Sequence, residues 1–353
     1  MEYDFFLLMS EQKNRRRIRS RSILPKGLQD FLILQIFYVA RGFIRLAAFL
    51  TESQARWLVR VVYRPFSRFN RRICQRNLAA FFQPLNRDPG EVDRIYRGYL
   101  EYMIRFQEET ARCFFMPFPD LEQKVLLEGE TRLRETLEMG GGALIVSAHM
   151  GTWWHLPCLL AARGFKVNVV FNSFPYAPIE NYLQRRASRY GIRLAFVDKG
   201  IPKMMHRAAQ NNEIVYLTFD VAVRRRHGSW FPFGATRINI NAGPAILVLR
   251  YRMPVHYGTT YHCDDGRSRI VIHPEIISRF EGKEVLPGDL CRAWVDRLHS
   301  EILVHPEQWW GWGFSDLPLI RRQPLRVSDT CDRAPTTVGV NAPTPGRGPA
   351  CVS

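Results

Sequence analysis

Two histidines stand close together in Ala143-Leu-Ile-Val-Ser-Ala-His149-Met-Gly151-Thr-Trp-Trp154-His155, just past an apolar run. The run reads as a short buried strand, and the small-residue turn after it leads into a helix. A histidine at the mouth of a strand-to-helix turn is placed for proton transfer. Ligands of open α/β sheets settle at the carboxyl ends of strands, and a helix N-terminus there offers N–H groups to an anion or oxyanion. The same spacing also suits a histidine that only caps the turn. Metal chemistry is not expected: neither His149, His155 and Cys158 nor His256, His262 and Cys263 has the paired spacing of zinc sites.

The elements that must hold this turn follow from the rest of the chain. Its 353 residues, 46% hydrophobic, suffice for one large α/β domain plus an appended piece. The 50 Lys and Arg against 33 Asp and Glu give a net charge of +17, which points to an anionic partner. Seven cysteines without Cys-x-x-Cys spacing argue for a reducing compartment. Residues 1–30 hold a short apolar patch, Phe5 to Met9, then a basic run, Lys13 to Arg21, without the order of a secretory signal, and are expected to be a flexible basic terminus.

Phe31 to Leu50 has about the length of a membrane span but is interrupted by Arg41, Arg45 and Gly42. A helix in the membrane interface, with the arginines among head groups, suits it better; packing on the domain and a true span are the alternatives. Residues 31–124 as a whole are expected to be a helical, membrane-associating region, ending at the prolines of Met116-Pro-Phe-Pro119. From 125 to 321 strands and helices alternate. Strands are expected near 143–148, 167–171, 192–197, 213–218, 255–261 and 269–273. Helices are expected near 129–139, 153–163, 179–190, 201–210, 242–251 and 289–304. Such alternation calls for an α/β fold with a mostly parallel central sheet flanked by helices. Residues 322–353, rich in Pro, Gly and Thr, are expected to be a disordered tail.

Leu127 to Gln308 resembles the bacterial lipid A biosynthesis acyltransferases, the lauroyl or late acyltransferase family of the glycerolipid acyltransferase superfamily. Five blocks match in order: Ile145 to Trp153 with His149; Gln184 to Gly191 with its arginines; Asp220 followed by Gly228 to Gly234; Ala242-Gly-Pro-Ala245 followed by Met253-Pro-Val; and His305-Pro-Glu-Gln-Trp309. One departure matters. The family carries a carboxylate five positions after the histidine, and here that slot holds Trp154. Such an acid fixes the imidazole tautomer and stabilises the imidazolium, and its loss costs up to about 10⁴ in rate. Three outcomes are open: His149 acts with a substitute acid, Asp220 being the first candidate because it too should end a strand; His155 takes over a role; or the protein binds acyl chains or carriers without turnover.

The resemblance implies charge stabilisation by Arg186 or Arg189, whose alternative is a solvated helix face. Arg224-Arg-Arg-His227 could steer an acidic carrier or be a charged loop. Gly151, Trp153, Trp154 and the segment Phe231-Pro232-Phe233-Gly234 are candidates for substrate contact, the last either an acyl-chain wall or plain core. The tryptophans of His305 to Trp312 fit an interface with membrane or with the domain's own helices. The implied activity is acyl transfer from acyl carrier protein or acyl-CoA to a hydroxyl or amine of a lipid or other amphipathic acceptor, at an anionic membrane surface on the cytoplasmic face of the inner membrane. No cofactor is expected. A nucleic-acid partner is not expected either, because the aromatics lie in apolar runs and not on a basic face.

Overall fold

The computed structural model describes residues 34–35, 37–39, 41–42, 45–46, 49–82, 89–113, 117–173, 176–197, 200–220, 228–277 and 284–313. The basic N-terminus, Arg224 to His227 and the C-terminal tail lie outside them. Two long helices, α1 (Glu52–Phe82) and α2 (Pro89–Cys113), precede the short α3 (Phe118–Lys124). Then come β1 (Val125–Glu128), α4 (Glu130–Glu138), β2 (Ala143–Ser147), α5 (His155–Ala162), β3 (Val167–Phe171), α6 (Ala177–Ser188), β4 (Arg193–Phe196), α7 (Ile201–Gln210) and β5 (Ile214–Thr218). A hairpin of β6 (Ser229–Phe233) and β7 (Thr236–Ile240) leads to α8 (Gly243–Tyr251), β8 (Val255–His262), β9 (Ser268–Ile272) and α9 (Pro287–Val304). Short 3-10 turns at Pro306–Gln308 and Trp310–Gly313 end the described chain.

The seven-stranded sheet runs β1-β9-β8-β2-β5-β3-β4, and of its neighbouring pairs only β8–β9 is antiparallel. The expected strands and helices of residues 129–304 are all present. All five residues of β2 are buried, as a central strand covered on both faces requires. The sequence reading lacked β1 and the hairpin. The β6–β7 turn is the two-residue Gly234-Ala235; Gly234 has φ +59°, and the Phe81 backbone lies where its side chain would be.

The helices before residue 125 share the core of the sheet. Phe81, Phe82, Met103 and Phe106 belong to the same apolar cluster as β2 and β5. Near the N-terminus Phe37 packs edge-on against Tyr182 of α6 and Arg41 lies over the same ring, so part of this segment rests on the domain. An apolar surface remains on Tyr38, Val39, Leu46, Phe49, Trp57 and Val61, with Phe49 86% exposed. Among the described residues no helix is long and apolar enough to cross a membrane.

Candidate active site

Strands β2 and β5 are parallel neighbours with Ser147 opposite Thr218, and the Phe219 N–H donates to the Ser147 carbonyl at 3.0 Å. His149 and Asp220 each lie two residues beyond that aligned pair, so the register delivers them to the same place at the carboxyl edge. Asp220 Oδ1 is 2.7 Å from His149 Nδ1. The His149 backbone N–H donates to both carboxylate oxygens, at 3.1 and 3.0 Å, and the Trp309 indole Nε1–H donates to Oδ2 at 2.8 Å. Burial raises the Asp220 pKa, but the charge and ring hydrogen bond of His149, with the Trp309 and backbone bonds, outweigh it and hold the carboxyl below its usual value. An ionised Asp220 accepts only, so the proton of a neutral imidazole sits on Nδ1 and Nε2 carries the lone pair. Nε2 faces Thr218 Oγ1 at 3.3 Å. Trp153 meets the imidazole edge-on at 5.0 Å and Trp310 lies tilted across it at 4.9 Å, leaving His149 4% exposed.

The C-terminal block builds this geometry. Trp310 N–H donates to the His149 carbonyl at 2.9 Å, Gly151 N–H donates to the Gln308 carbonyl at 3.2 Å, and Met150 bridges to Trp309. The Gln308 amide accepts from His262 N–H at 2.6 Å and donates to its carbonyl at 3.1 Å. Gly151 has φ +52°, and a Cβ there would lie 2.6 Å from the Thr260 carbonyl oxygen, so only glycine fits the turn. Thr152 donates to Glu109 at 2.5 Å and lies 2.9 Å from His262 Nε2, while Arg105 binds the other Glu109 oxygen at 2.6 Å. Burial opposes ionisation of Glu109, yet the charge and hydrogen bond of His262, with the charge of Arg105, hold it well below the carboxylate range. The backbone N–H groups of His149, Met150, Gly151 and His155 are all hydrogen-bonded within this scaffold.

Trp154 is not a vacancy left by an acid. It is 1% exposed, stacked on Trp153 at 4.6 Å and tilted against Phe171 at 5.5 Å. His155 does not join the pair: its Nδ1 lies 3.1 Å from Ser268 Oγ, and burial lowers its pKa to about 4 against the pull of Glu109, so it is neutral at physiological pH. In a parallel sheet a helix starts at the carboxyl edge and ends at the opposite one, and α6 of 12 residues is about 18 Å long. Arg186 in its last turn lies over Tyr182, Arg189 follows as its C-cap, and neither is a hydrogen-bond partner of His149 or Asp220. Phe231 and Phe233 are buried; Phe233 packs on Trp309 and Phe81, so it backs the indole that holds Asp220. Pro232 and Gly234 serve the hairpin strand and turn. Among the described residues no group of three or more His, Cys, Asp or Glu is placed to hold a metal ion.

Thr218, Gln308, Trp310, Thr152, Glu109 and His262 escaped the sequence reading as site or scaffold residues. For Thr218 a signal existed: once Asp220 is placed at a strand end, the residue two before it shares its face. The others come from four separate parts of the chain, and no local spacing joins them.

The family model of the bacterial lipid A biosynthesis acyltransferases matches residues 24–312. The chain belongs to this family. A comparison with curated proteins found no match. In this chain the five ordered blocks fall on the sheet's carboxyl edge, on α6, on the hairpin and α8, and on the C-terminal turns. Asp220, 71 positions along the chain, brings a carboxylate to the His149 ring.

Proposed function

We propose that the protein moves a fatty acyl group from a thioester, acyl carrier protein or acyl-CoA, to a hydroxyl or amine of a lipid or other amphipathic acceptor. The observation that carries this reading is the His149–Asp220 pair, with Nδ1 bound to a carboxylate at 2.7 Å and Nε2 left as base. His149 takes the proton of the attacking group, and Asp220 steadies the imidazolium that results. The aromatic walls keep water from the imidazole, so the charge pair acts in a low dielectric. The net charge of +17 and the apolar surface from Tyr38 to Val61 support work at an anionic membrane, on the cytoplasmic face of the inner membrane. Arg186 and Arg189, half-buried and exposed respectively, suit the phosphate of a carrier or lipid better than a developing oxyanion.

The test is acyl transfer by detergent-purified protein supplied with labelled acyl carrier protein or acyl-CoA and membrane lipids, beside His149→Ala. The variant is expected to lose at least about 10³-fold in rate. Equal transfer by both forms would sink the proposal. Tight acyl-carrier binding without transfer by either form would instead favour a protein that only binds.

A further inference from the structure

We infer that Glu109 of α2 is a positioning residue for His149, acting through the Thr152 hydroxyl to fix the turn that carries the imidazole. The inference rests on the acyl-transfer reading above. β2 ends at Ser147 and α5 begins at His155, so His149 stands on the connection 148–154, outside both elements. A side chain on such a connection is aimed only as well as its backbone is held. A misplacement of about 1 Å costs about 10²-fold in rate.

Three parts of the fold hold this connection. Asp220 accepts from the His149 N–H. From the C-terminal turns, Trp310 N–H donates to the His149 carbonyl and the Gln308 carbonyl accepts from Gly151 N–H. The third hold comes from α2, which precedes the sheet in the chain. Tyr102 Oη donates to the Gly151 carbonyl at 3.2 Å, and Thr152 Oγ1 donates to Glu109 Oε2 at 2.5 Å. Residues 102 and 109 are about two helical turns apart, so both project from one face of α2.

Glu109 is itself braced from two sides. Arg105, one turn before it, donates to Oε1 at 2.6 Å and also binds the carbonyls of Cys263, Gly266 and Arg267 between β8 and β9. His262 Nε2 lies 3.0 Å from Oε2 and 2.9 Å from Thr152 Oγ1. Glu109 follows Tyr99, Tyr102 and Phe106 on the buried side of α2, where packing alone calls for an apolar residue. An ionised carboxylate there carries a desolvation cost that an apolar residue avoids. What the carboxylate adds is direction, because it only accepts and so fixes where the Thr152 hydroxyl points. Its hydrogen bonds go to Thr152 and Arg105 and its ion pair to His262, none to His149 or Asp220, so its effect on the imidazole passes through the turn.

The experiment compares Thr152→Val, which removes the hydroxyl, with Thr152→Ser, which keeps it, and with Glu109→Gln, which sets an amide donor against either Thr152 or Arg105. Detergent-purified full-length protein receives labelled acyl carrier protein or acyl-CoA and membrane lipids, at a temperature where the unfolding curves show each variant fully folded. Thr152→Val and Glu109→Gln are expected to lose about 10- to 100-fold in kcat with KM within about twofold of wild type, and Thr152→Ser to recover most of that loss. If Glu109→Gln does not fold, the two Thr152 variants decide. Spectra of ¹⁵N-histidine-labelled protein give a reading that needs no turnover: one sharp set of His149 ring signals in wild type and Thr152→Ser, and broadened or doubled signals in Thr152→Val. Wild-type kcat or unchanged His149 signals in folded Thr152→Val would overturn the role, as would a loss confined to KM or one that Thr152→Ser shares in full. Absence of transfer from wild type would defeat the acyl-transfer reading instead, and the His149 signals alone would then decide the role of Glu109.

Discussion

Asp220→Asn is expected to lower acyl transfer by about 10⁴-fold with little change in substrate binding. The reason lies in who donates to the carboxylate. The backbone N–H of His149 and the indole N–H of Trp309 both point at it, so the amide oxygen of asparagine will turn toward those donors. Its NH₂ then faces His149 Nδ1, which must accept, and the ring proton moves to Nε2. The base is then protonated on the atom that has to take a proton. Steady-state kcat and KM measured across pH check this, and a loss confined to KM would contradict it. The same substitution has a stability signature. Asp220 is held below its unfolded pKa of about 3.9, so its contribution is present above that value and fades as pH falls through the folded pKa. Denaturant unfolding of wild type should therefore weaken below about pH 4 by an increment that the asparagine variant lacks.

Trp309→Ala is expected to cost about 3–5 kcal/mol of stability and to remove measurable transfer. The indole is fully buried, packs edge-on against Phe233 and Trp312 at 5.3 and 4.7 Å, and its backbone bridges to Met150 beside His149. Trp309→Phe separates packing from the hydrogen bond. It keeps most of the ring and removes the one donor that holds Asp220 Oδ2 from outside the His149 turn. A lost hydrogen bond to a charged group amounts to about 1.5–3 kcal/mol. If that energy acts on the orientation of Asp220, the phenylalanine variant should lose about 10- to 100-fold in kcat while unfolding close to wild type. An unchanged kcat in Trp309→Phe would reduce this residue to packing alone.

Much of this was legible in residue patterns because the α/β units are local. Apolar runs followed by a helical period mark β2, β3, β4 and β5 with their helices, and their parallel pairing puts the ends of those strands on one edge. Asp220 could be named as the substitute acid for that reason alone. The β6–β7 hairpin was missed because Phe231-Pro-Phe233 has no alternating polar face; one side packs on α9 and Trp309. The four-residue β1 is too short to show a period. The sequence block gave Arg186 and Arg189 a charge-stabilising role without saying which end of a helix they occupy; they lie at the C-terminal end of α6. The tryptophans of the C-terminal block were left between membrane and domain. Three of them, Trp309, Trp310 and Trp312, are buried in the domain, where the first two hold Asp220 and the His149 carbonyl.

Trp154 has a structural place of its own. Its indole fills an apolar stack between Trp153 and Phe171, and Trp153 in turn walls the imidazole. A carboxylate at 154 would be buried among these rings, at a cost of several kcal/mol unless it were paired. The aromatic stack and the distant aspartate therefore belong together: the turn after β2 supplies shape, and the end of β5 supplies charge.

Asp220 sets the tautomer of His149 in the mechanism proposed above, and ¹⁵N spectra of histidine-labelled protein measure that property directly. At a pH where the ring is neutral, the account predicts His149 protonated at Nδ1 with a bare Nε2, reverting to the Nε2-protonated form in Asp220→Asn. An Nε2-protonated His149 in the wild-type protein, or the same spectrum in both, would contradict it.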